Sequence, residues 1–487
     1  MSAQGSFSMN HHEHHTDLVA IARDVATREG FAVASQKNAS YVKTPDTSDV
    51  VDLRHLPWSS IDNRESKDLD QIEVAQRLDG GRIKILLGIA DVDAYVPRGT
   101  ELDKQAGWNT TSLYAGVATF PMLPDELSEG LTSLLEGEER LAMVTEFVVE
   151  ADGSISGTNV YRARVVNHAK LVYDDVGPWL EGATEPPTDV SKRPALREQL
   201  TMQDEAAQRL RRRRIEHGAL RLETVEARAV AQGGDVVAIK LVEKSRAREL
   251  IEDLMIAANG ATARWLEDLR YASIRRIVRT PRRWDRIVDL AKTKGFELPA
   301  EPNAVALSDF LSAQKEADPK HFADVSISVV KLLGPGEYAV ADPDCPEGHF
   351  GLAVSDYAHS TAPNRRYGDL VTQRLLKAAI RREKPAYTIA DLTSIAVRCT
   401  DQENHARKFE RTMRKVAAAL FLSKRIGDTF DAIVTGATDK GTFVRLVEPP
   451  AEGRVVSGER GLDVGDTLRV KLVATEPKKG FIDFARI

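Results

Sequence analysis

Three aspartates fall within nine positions in the segment Ile61-Asp62-Asn63-Arg64-Glu65-Ser66-Lys67-Asp68-Leu69-Asp70-Gln71. An apolar run, Ile83 to Ile89, follows shortly after. Asp68 and Asp70 are two apart, which in an extended segment turns both carboxylates to one side. Asp62 lies one short loop back and can fold in beside them. Converging carboxylates repel unless a positive charge sits between them. A divalent cation is the usual solution, and hard oxygen donors suit magnesium or manganese. On its own, such a segment is more often an acidic, solvated loop.

A second segment, Tyr357-Ala358-His359-Ser360-Thr361-Ala362-Pro363-Asn364-Arg365-Arg366-Tyr367-Gly368-Asp369-Leu370, lies about 300 residues on. It reads as a loop entering a helix. Pro363 keeps Ala362 out of the helical region. Apolar residues at Leu370, Val371, Leu375, Leu376 and Ala379 then follow the helical period. Paired arginines at such an entry suit a phosphate, because guanidinium forks match phosphate oxygens and helix N-termini favour anions. Surface arginines on an amphipathic helix would look the same.

Taken together, the two segments resemble the catalytic domain of the ribonuclease II and ribonuclease R family, also called the RNB-domain family. That family carries an acidic signature Asp-x5-Asp-x-Asp-Asp and, far downstream, Thr-Ser-Pro-Ile-Arg-Arg/Lys-Tyr. Further segments match in the same order. They are Gly88-Ile89-Ala90-Asp91-Val92, the loop from Phe120 through Pro121-Met122-Leu123-Pro124 to Ser128, the helix-like Leu250 to Asn259, and His349-Phe350-Gly351-Leu352. The resemblance spans roughly residues 51 to 487, and six ordered motifs are far more specific than one.

The resemblance implies a hydrolytic 3′-to-5′ exoribonuclease that releases nucleoside 5′-monophosphates by metal-assisted phosphodiester cleavage. It makes Asp62, Asp68 and Asp70 the acidic cluster, with Asp70 the position cleavage most strictly needs. It makes Arg365 the support of the scissile phosphate. Tyr114, seven residues before Pro121, matches a tyrosine that stacks on the last base. Glu252 matches a ribose contact, a type of contact that tells RNA from DNA. Glu410 matches a second carboxylate near substrate, and Arg366 and Tyr367 complete the arginine motif as RNA contacts.

Two departures from the family pattern stand out. Gln71 occupies the fourth acidic position. Its carbonyl oxygen can join Asp62, Asp68 and Asp70 around Mg2+ or Mn2+, but it brings no charge. Leu222 stands where the family places an aromatic that clamps the terminal bases, so the stack is expected to be weaker. Ala362 and Asn364 replace the usual Ser and Ile of the arginine motif.

Composition is ordinary for a globular chain of 487 residues, and net charge is −6, which does not announce a nucleic-acid binder. Positive charge is clustered instead, in Arg209 and Arg211 to Arg214, in Arg275 to Arg286, and in Arg381, Arg382 and Lys384. For any single run a solvated face is the better reading. Two cysteines, Cys345 and Cys399, give neither a disulfide framework nor metal-ligand spacing, which suits a reducing cytoplasm. The apolar runs are too short for a membrane span, and no signal peptide is recognisable. His11, His12, His14 and His15 read as a tag-like tail.

The expected fold is α+β. A short helical or winged-helix-like region occupies 1–50, in place of the two cold-shock barrels for which there is no room. An RNB-like catalytic domain of mixed sheet and long helices occupies 51–426. Helices are expected at Thr16 to Arg28, Arg246 to Leu266, Asp369 to Arg382 and Thr400 to Arg425, with a helix and loop over 180–205. A five-stranded OB-type barrel, S1-like and RNA-binding, occupies 427–487, with a turn at Asp439-Lys440. The expected partner is single-stranded RNA, extending to RNA with a short 3′ overhang, met by a monomer with no membrane attachment. Two other functions compete. One is an RNA-binding homologue that has lost hydrolysis, for which Gln71 and Leu222 argue. The other is a phosphoesterase acting on DNA or small nucleotides.

Overall fold

The run Ile83-Lys84-Ile85-Leu86-Leu87-Gly88-Ile89-Ala90 is apolar almost throughout, so as a strand it must be covered on both faces. In the computed structural model it lies near the middle of a seven-stranded sheet. The structure describes residues 18–33, 45–116, 118–223, 227–232, 235–241, 244–319, 321–341, 348–438 and 441–487. The strands of this sheet and a small hairpin are β1 (Val50–Asp52), β2 (Ser59–Asp62), β3 (Gln71–Arg77), β4 (Ile83–Ala90), β5 (Leu113–Tyr114), β6 (Thr119–Phe120), β7 (Glu139–Val149), β8 (Ile155–Val166) and β9 (Ala169–Val172). The sheet order is β1-β8-β7-β4-β3-β2-β9, and β5 and β6 form a separate two-stranded sheet. β1 with β8 and β2 with β9 run parallel, and the remaining pairs antiparallel.

The helices follow the sheet's two faces. They are α1 (Leu18–Arg28), α2 (Glu101–Asn109), α3 (Tyr173–Leu180), α4 (Thr188–Ser191), α5 (Pro194–Glu216), α6 (Arg246–Asp268), α7 (Trp284–Thr293), α8 (Ala304–Ala317), α9 (Phe322–Leu333), α10 (Tyr367–Ile380) and α11 (Ile389–Ser423). On one face Ile72, Val74, Leu86 and Ala90 pack with Leu370, Val371 and Leu375 of α10. On the other, Ala75, Ile83, Ile85, Leu87 and Ile89 pack with α5 and α6 through Leu200, Leu250 and Leu254. Strand alternation sends neighbouring side chains to opposite cores, which is why β4 has no polar face. α7, α8 and α9 form a separate cluster around Trp284 and Phe310.

Residues 429–486 form a closed five-stranded barrel, as the α+β reading expected. Its strands are Thr429–Thr438, Gly441–Leu446, Glu452–Ser457, Thr467–Glu476 and Phe481–Arg486. Ala418, Ala419 and Leu422 at the end of α11 enter the barrel core beside Phe430 and Phe484. α11, about 50 Å long at 1.5 Å per residue, thus touches both the sheet core and the barrel. It begins eleven residues before the expected Thr400, because Thr388 and Asp391 form a capping box there. Asp391 N donates to the Thr388 hydroxyl at 3.1 Å and Thr388 N to the Asp391 carboxylate at 3.0 Å. α10 likewise starts two residues early, at Tyr367, with Arg366 still extended.

α1 ends before Gly30, whose φ of +89° favours glycine. Its Leu18, Ala22 and Val25 pack on Phe409 and Met413 of α11, and Glu29 accepts from Lys408 at 2.8 Å. Among the described residues before Val50 there is this one helix and no strand, so a winged-helix arrangement is not seen in them. The expected helix start at Thr16, the histidines at 11–15, Cys345 and the turn at Asp439-Lys440 lie outside the described residues. Cys399 is buried. No helix among the described residues is long and apolar enough to cross a membrane.

The arginine runs are mostly ion-paired within the protein. Arg211 and Arg214 grip Asp253, Arg213 meets Asp152, Arg275 meets Glu267, Arg276 meets Glu403 and Arg381 meets Asp49. These positions tie helices and strands together rather than forming a positive rail.

Candidate active site

The acidic loop between β2 and β3 is stapled from below. Leu69 N donates to the Ser133 hydroxyl at 3.0 Å, that hydroxyl donates to Lys67 O at 2.6 Å, and Leu134 N donates to Leu69 O at 2.9 Å. Ala90 N of β4 donates to Asp70 O at 2.9 Å, which extends the ladder to the aspartate itself. Asp70 is therefore set by backbone hydrogen bonds, with its side chain turned inward and only 2% exposed.

The N-terminal approach to α10 meets it there. Asn364 N donates to Asp70 Oδ1 at 3.3 Å, and Arg365 Nε to Asp70 Oδ2 at 3.2 Å. Thr132 donates to Asn364 Oδ1 at 2.6 Å, and Ala362 N to Asp369 Oδ1 at 2.8 Å, which locks the turn. Asn364 at the family's Ile position thus acquires a structural partner. Burial pushes the Asp70 carboxyl up, Arg365 opposes this and Asp68 adds to it, leaving it at about 7. Asp68 is also raised, by burial first and then by Asp62 and Glu129 against the pull of Arg365. Asp62 closes β2, and its carboxylate accepts from Asn63 N and from the Ser66 hydroxyl, both at 2.6 Å.

Next to this cluster is a cavity of about 310 Å3 lined by Tyr114, Arg365, Arg366 and Glu410, together with Tyr338, His359 and Glu403. Tyr114 on β5 is 39% exposed. Burial on its inner side raises its phenol to about 12, with Arg365, Asp68 and Asp70 acting on the same hydroxyl. Arg366 splits its role. Its guanidinium holds Asp369 at 2.8 and 2.9 Å, yet it still lines the cavity.

Other expected site residues are placed elsewhere. The Tyr367 ring is buried in the sheet core and its hydroxyl donates to Asp103 at 2.9 Å, so it braces α10 instead of facing the cavity. Glu252 sits on the outer side of α6, 61% exposed and 3.9 Å from Arg211. Leu222 packs with the α7–α9 cluster and does not line this cavity. Gln71 opens β3, buried, opposite Ile89. Among the described residues no three His, Cys, Asp or Glu side chains stand close enough together to cage a metal.

The structure adds residues that motif reading passed over. Glu403 accepts from Arg276 at 2.7 Å and from Arg407 at 2.6 Å, and its other carboxylate oxygen is buried without a partner among the described residues. It lies two helical turns before Glu410, a spacing that would have indicated it. His359, inside the arginine segment, accepts or donates at Nδ1 with the Tyr338 hydroxyl at 2.8 Å. Burial and then Arg366 hold it well below the ordinary histidine value, so it is neutral. Tyr338 has no sequence signal.

A mixed sheet with an acid–arginine pocket, joined by one long helix to an OB-type barrel, defines the class. The RNB domain matches residues 50–382, and the RNase II-type exonuclease C-terminal S1 domain matches residues 428–487. The chain belongs to the RNB-domain family. It is 32% identical over 473 residues to a protein named Ribonuclease R from Vibrio cholerae, covering 89% of this chain and 56% of that protein. The chain thus spans little more than half the length of that relative. Among solved structures, Mycoplasma genitalium RNase R in complex with ribose-methylated single-stranded RNA matches with a TM-score of 0.86 at 23% identity. That match covers 97% of this chain and 78% of the other. Yeast Ssd1, described as a pseudonuclease, matches with a TM-score of 0.69 at 16% identity over 91% of this chain and 56% of the other. At such identities the likeness is one of fold.

Proposed function

We propose that this chain is a hydrolytic 3′-to-5′ exoribonuclease that degrades single-stranded RNA to nucleoside 5′-monophosphates. The observation that carries this reading is the Asp70–Arg365 contact beside the cavity that Tyr114 lines. It joins an acid cluster, a phosphate-binding fork and a stacking ring at one place.

Each group has a task. Arg365 keeps part of its guanidinium exposed and takes the non-bridging oxygens of the scissile phosphate, where charge grows in the transition state. Asp70 holds that guanidinium in place. Tyr114 offers its ring to the terminal base. Arg366 and Glu410 contact the strand along the cavity. The C-terminal barrel guides RNA toward it.

The donor set suits a hard divalent cation. Asp62, Asp68, Asp70 and the Gln71 carbonyl oxygen are the groups to hold Mg2+ or Mn2+, and burial, followed by the neighbouring carboxylates, raises Asp68 and Asp70. Magnesium typically takes one or two carboxylates, with water and substrate phosphate completing its shell, so a three-acid cage is not required. When bound, the cation polarises the phosphate and makes a water more acidic. The protein is taken to work as a monomer in the cytoplasm, and RNA with a short 3′ overhang is included among its substrates.

Gln71 supports a second reading, an RNA-binding homologue without hydrolysis. Digestion of a 5′-labelled single-stranded RNA, with matched DNA as control, in magnesium and then manganese separates them. A ladder shrinking from the 3′ end on RNA alone is the expected result. Intact RNA that shifts in a gel would replace the first reading with the second, and equal cutting of DNA would point to a different phosphoesterase.

A further inference from the structure

One wall of the cavity beside Asp70 and Arg365 is made by Tyr338, His359 and Glu403, residues that neither belong to the acid cluster nor form the arginine fork. Tyr338 lies on the strand Glu337–Val340, which pairs antiparallel with Ile274–Ile277 and sets Tyr338 directly opposite Arg276. Side chains paired in this way share a face. The Arg276 guanidinium lies over the Tyr338 ring, 4.9 Å from its centroid, and donates to Glu403 of α11 at 2.7 Å. The first turn of α10 also presses on the ring, since a Cβ on Gly368 would come within 3.3 Å of Tyr338 Cε1. The phenol is thus held in place, and its hydroxyl bonds His359 Nδ1 at 2.8 Å.

That bond orients the imidazole. His359 stands edge-on between two tyrosine rings, with centroids 5.4 Å away at Tyr338 and 5.6 Å away at Tyr357. A phenol is a stronger acid than a neutral imidazole N–H, and an imidazole nitrogen is the stronger base, so the Tyr338 hydroxyl donates and Nδ1 accepts. The ring hydrogen is then on Nε2. Nε2 has no hydrogen-bond partner among the described residues, and the ring lines the cavity. Burial, then Arg366, Arg276 and Arg365, keep the ring neutral. Glu403 spends its charge on Arg276 and Arg407. A neutral donor among guanidinium groups faces a place that favours an anion, and the anion of a nucleic-acid strand is its backbone phosphate.

We propose that His359 is a substrate-binding residue whose Nε2–H donates to a non-scissile backbone phosphate of the RNA strand, with Tyr338, Arg276 and Glu403 as the positioning residues behind it. This rests on the reading of the cavity as the seat of the strand's 3′ end. Arg365 attracts the strand by charge. An uncharged N–H acts by direction, and grips only a strand whose phosphate oxygen lies in line with it. The wall would thus fix the register of the strand relative to the Asp70–Arg365 contact.

The test is equilibrium binding of a fluorescent single-stranded RNA to the full chain, followed by anisotropy in a chelator that prevents cutting. A glutamine amide N–H reaches the position of the imidazole Nε2, whereas an asparagine amide reaches only that of Nδ1. His359→Asn should weaken binding about ten- to a hundredfold, the worth of a hydrogen bond to a charged group, and His359→Gln by no more than a few-fold. RNAs that carry one neutral methylphosphonate linkage at successive positions locate the contact. At one linkage the wild type should lose affinity and His359→Asn should lose none further. Tyr338→Phe, which keeps the ring over which Arg276 lies, should show a reduced penalty at that same linkage, and it takes the place of His359→Asn if the latter does not fold. Wild-type affinity in His359→Asn, equal losses in the Asn and Gln variants, or linkage penalties that match those of the wild type would each overturn the proposal and leave the RNA site standing. A wild-type chain that binds no RNA would remove the reading of the cavity and this inference with it.

Discussion

Arg365 Nε lies 3.2 Å from Asp70 Oδ2, although the two residues are 295 apart in the chain. Asp70 is nearly inaccessible while the Arg365 side chain is close to half exposed, so the carboxylate anchors the guanidinium from behind and leaves its outer edge for a ligand. The two sequence motifs meet through this contact and through Asn364 N, which donates to Asp70 Oδ1.

Replacing Asp70 by Asn keeps the shape of the anchor and removes its charge. RNA affinity should change by no more than a few-fold, while single-turnover cleavage falls by about a hundredfold or more, the scale of losing one preorganised electrostatic group. Gel shift and quenched-flow assays on the same preparation measure both. A variant that cuts at the wild-type rate would exclude Asp70 from the chemistry.

Arg365→Lys retains the positive charge but cannot bond Asp70 and a phosphate through one planar fork. Its cleavage rate should drop on a similar scale, about a hundredfold, with a smaller change in RNA affinity. If lysine performs as well as arginine at saturating RNA, the fork geometry is irrelevant.

The Asp70 carboxyl is raised to about 7, which ties stability to pH. The folded protein then binds a proton more tightly than the unfolded chain, whose aspartate titrates near 4. Its contribution is fully present below about pH 4 and is lost as pH rises through about 7. In a chelator, the wild type should lose stability over that interval, and Asp70→Asn should lose less, by on the order of a few kcal/mol at pH 8. Urea unfolding at pH 5 and pH 8 checks the sign. Saturating Mg2+ should shrink the difference by pairing with the carboxylate.

Tyr114→Ala removes the ring beside the cavity. Short oligonucleotides should bind more weakly by about 1–3 kcal/mol, the worth of one stacked base, and Tyr114→Phe should keep most of the affinity. Fluorescence anisotropy with short and long RNA compares them. Equal loss in both variants would assign the effect to the hydroxyl near Arg365 instead of to stacking.

Much of the fold and of the site is legible in the sequence. β4 was visible because eight nearly unbroken apolar residues permit little else, and the barrel because short alternating strands with turn residues recur within about sixty positions. Asp70 and Arg365 were legible as site residues because local spacing and motif identity mark them. The start of α11 was readable too, from the Thr388–Asp391 capping box and from Leu392, Ala396 and Cys399 at helical spacing. Tyr367 misled because a motif tyrosine next to two arginines looks like a ligand contact, whereas its direction is set by the packing of α10 on the sheet and by Asp103.

The sequence by itself determined the elements, the family pattern and the kind of chemistry, since these rest on residue type and on spacing along the chain. Only the tertiary structure decided which charges are spent on one another. Most arginines of the runs proved to be ion-paired within the protein because their carboxylate partners come from segments distant in the chain. Glu73 proved to be buried, with no side-chain hydrogen-bond partner among the described residues, because β2 and α5 close over it. Burial and pairing depend on contacts between segments far apart in the chain, and no local pattern of residues carries that information.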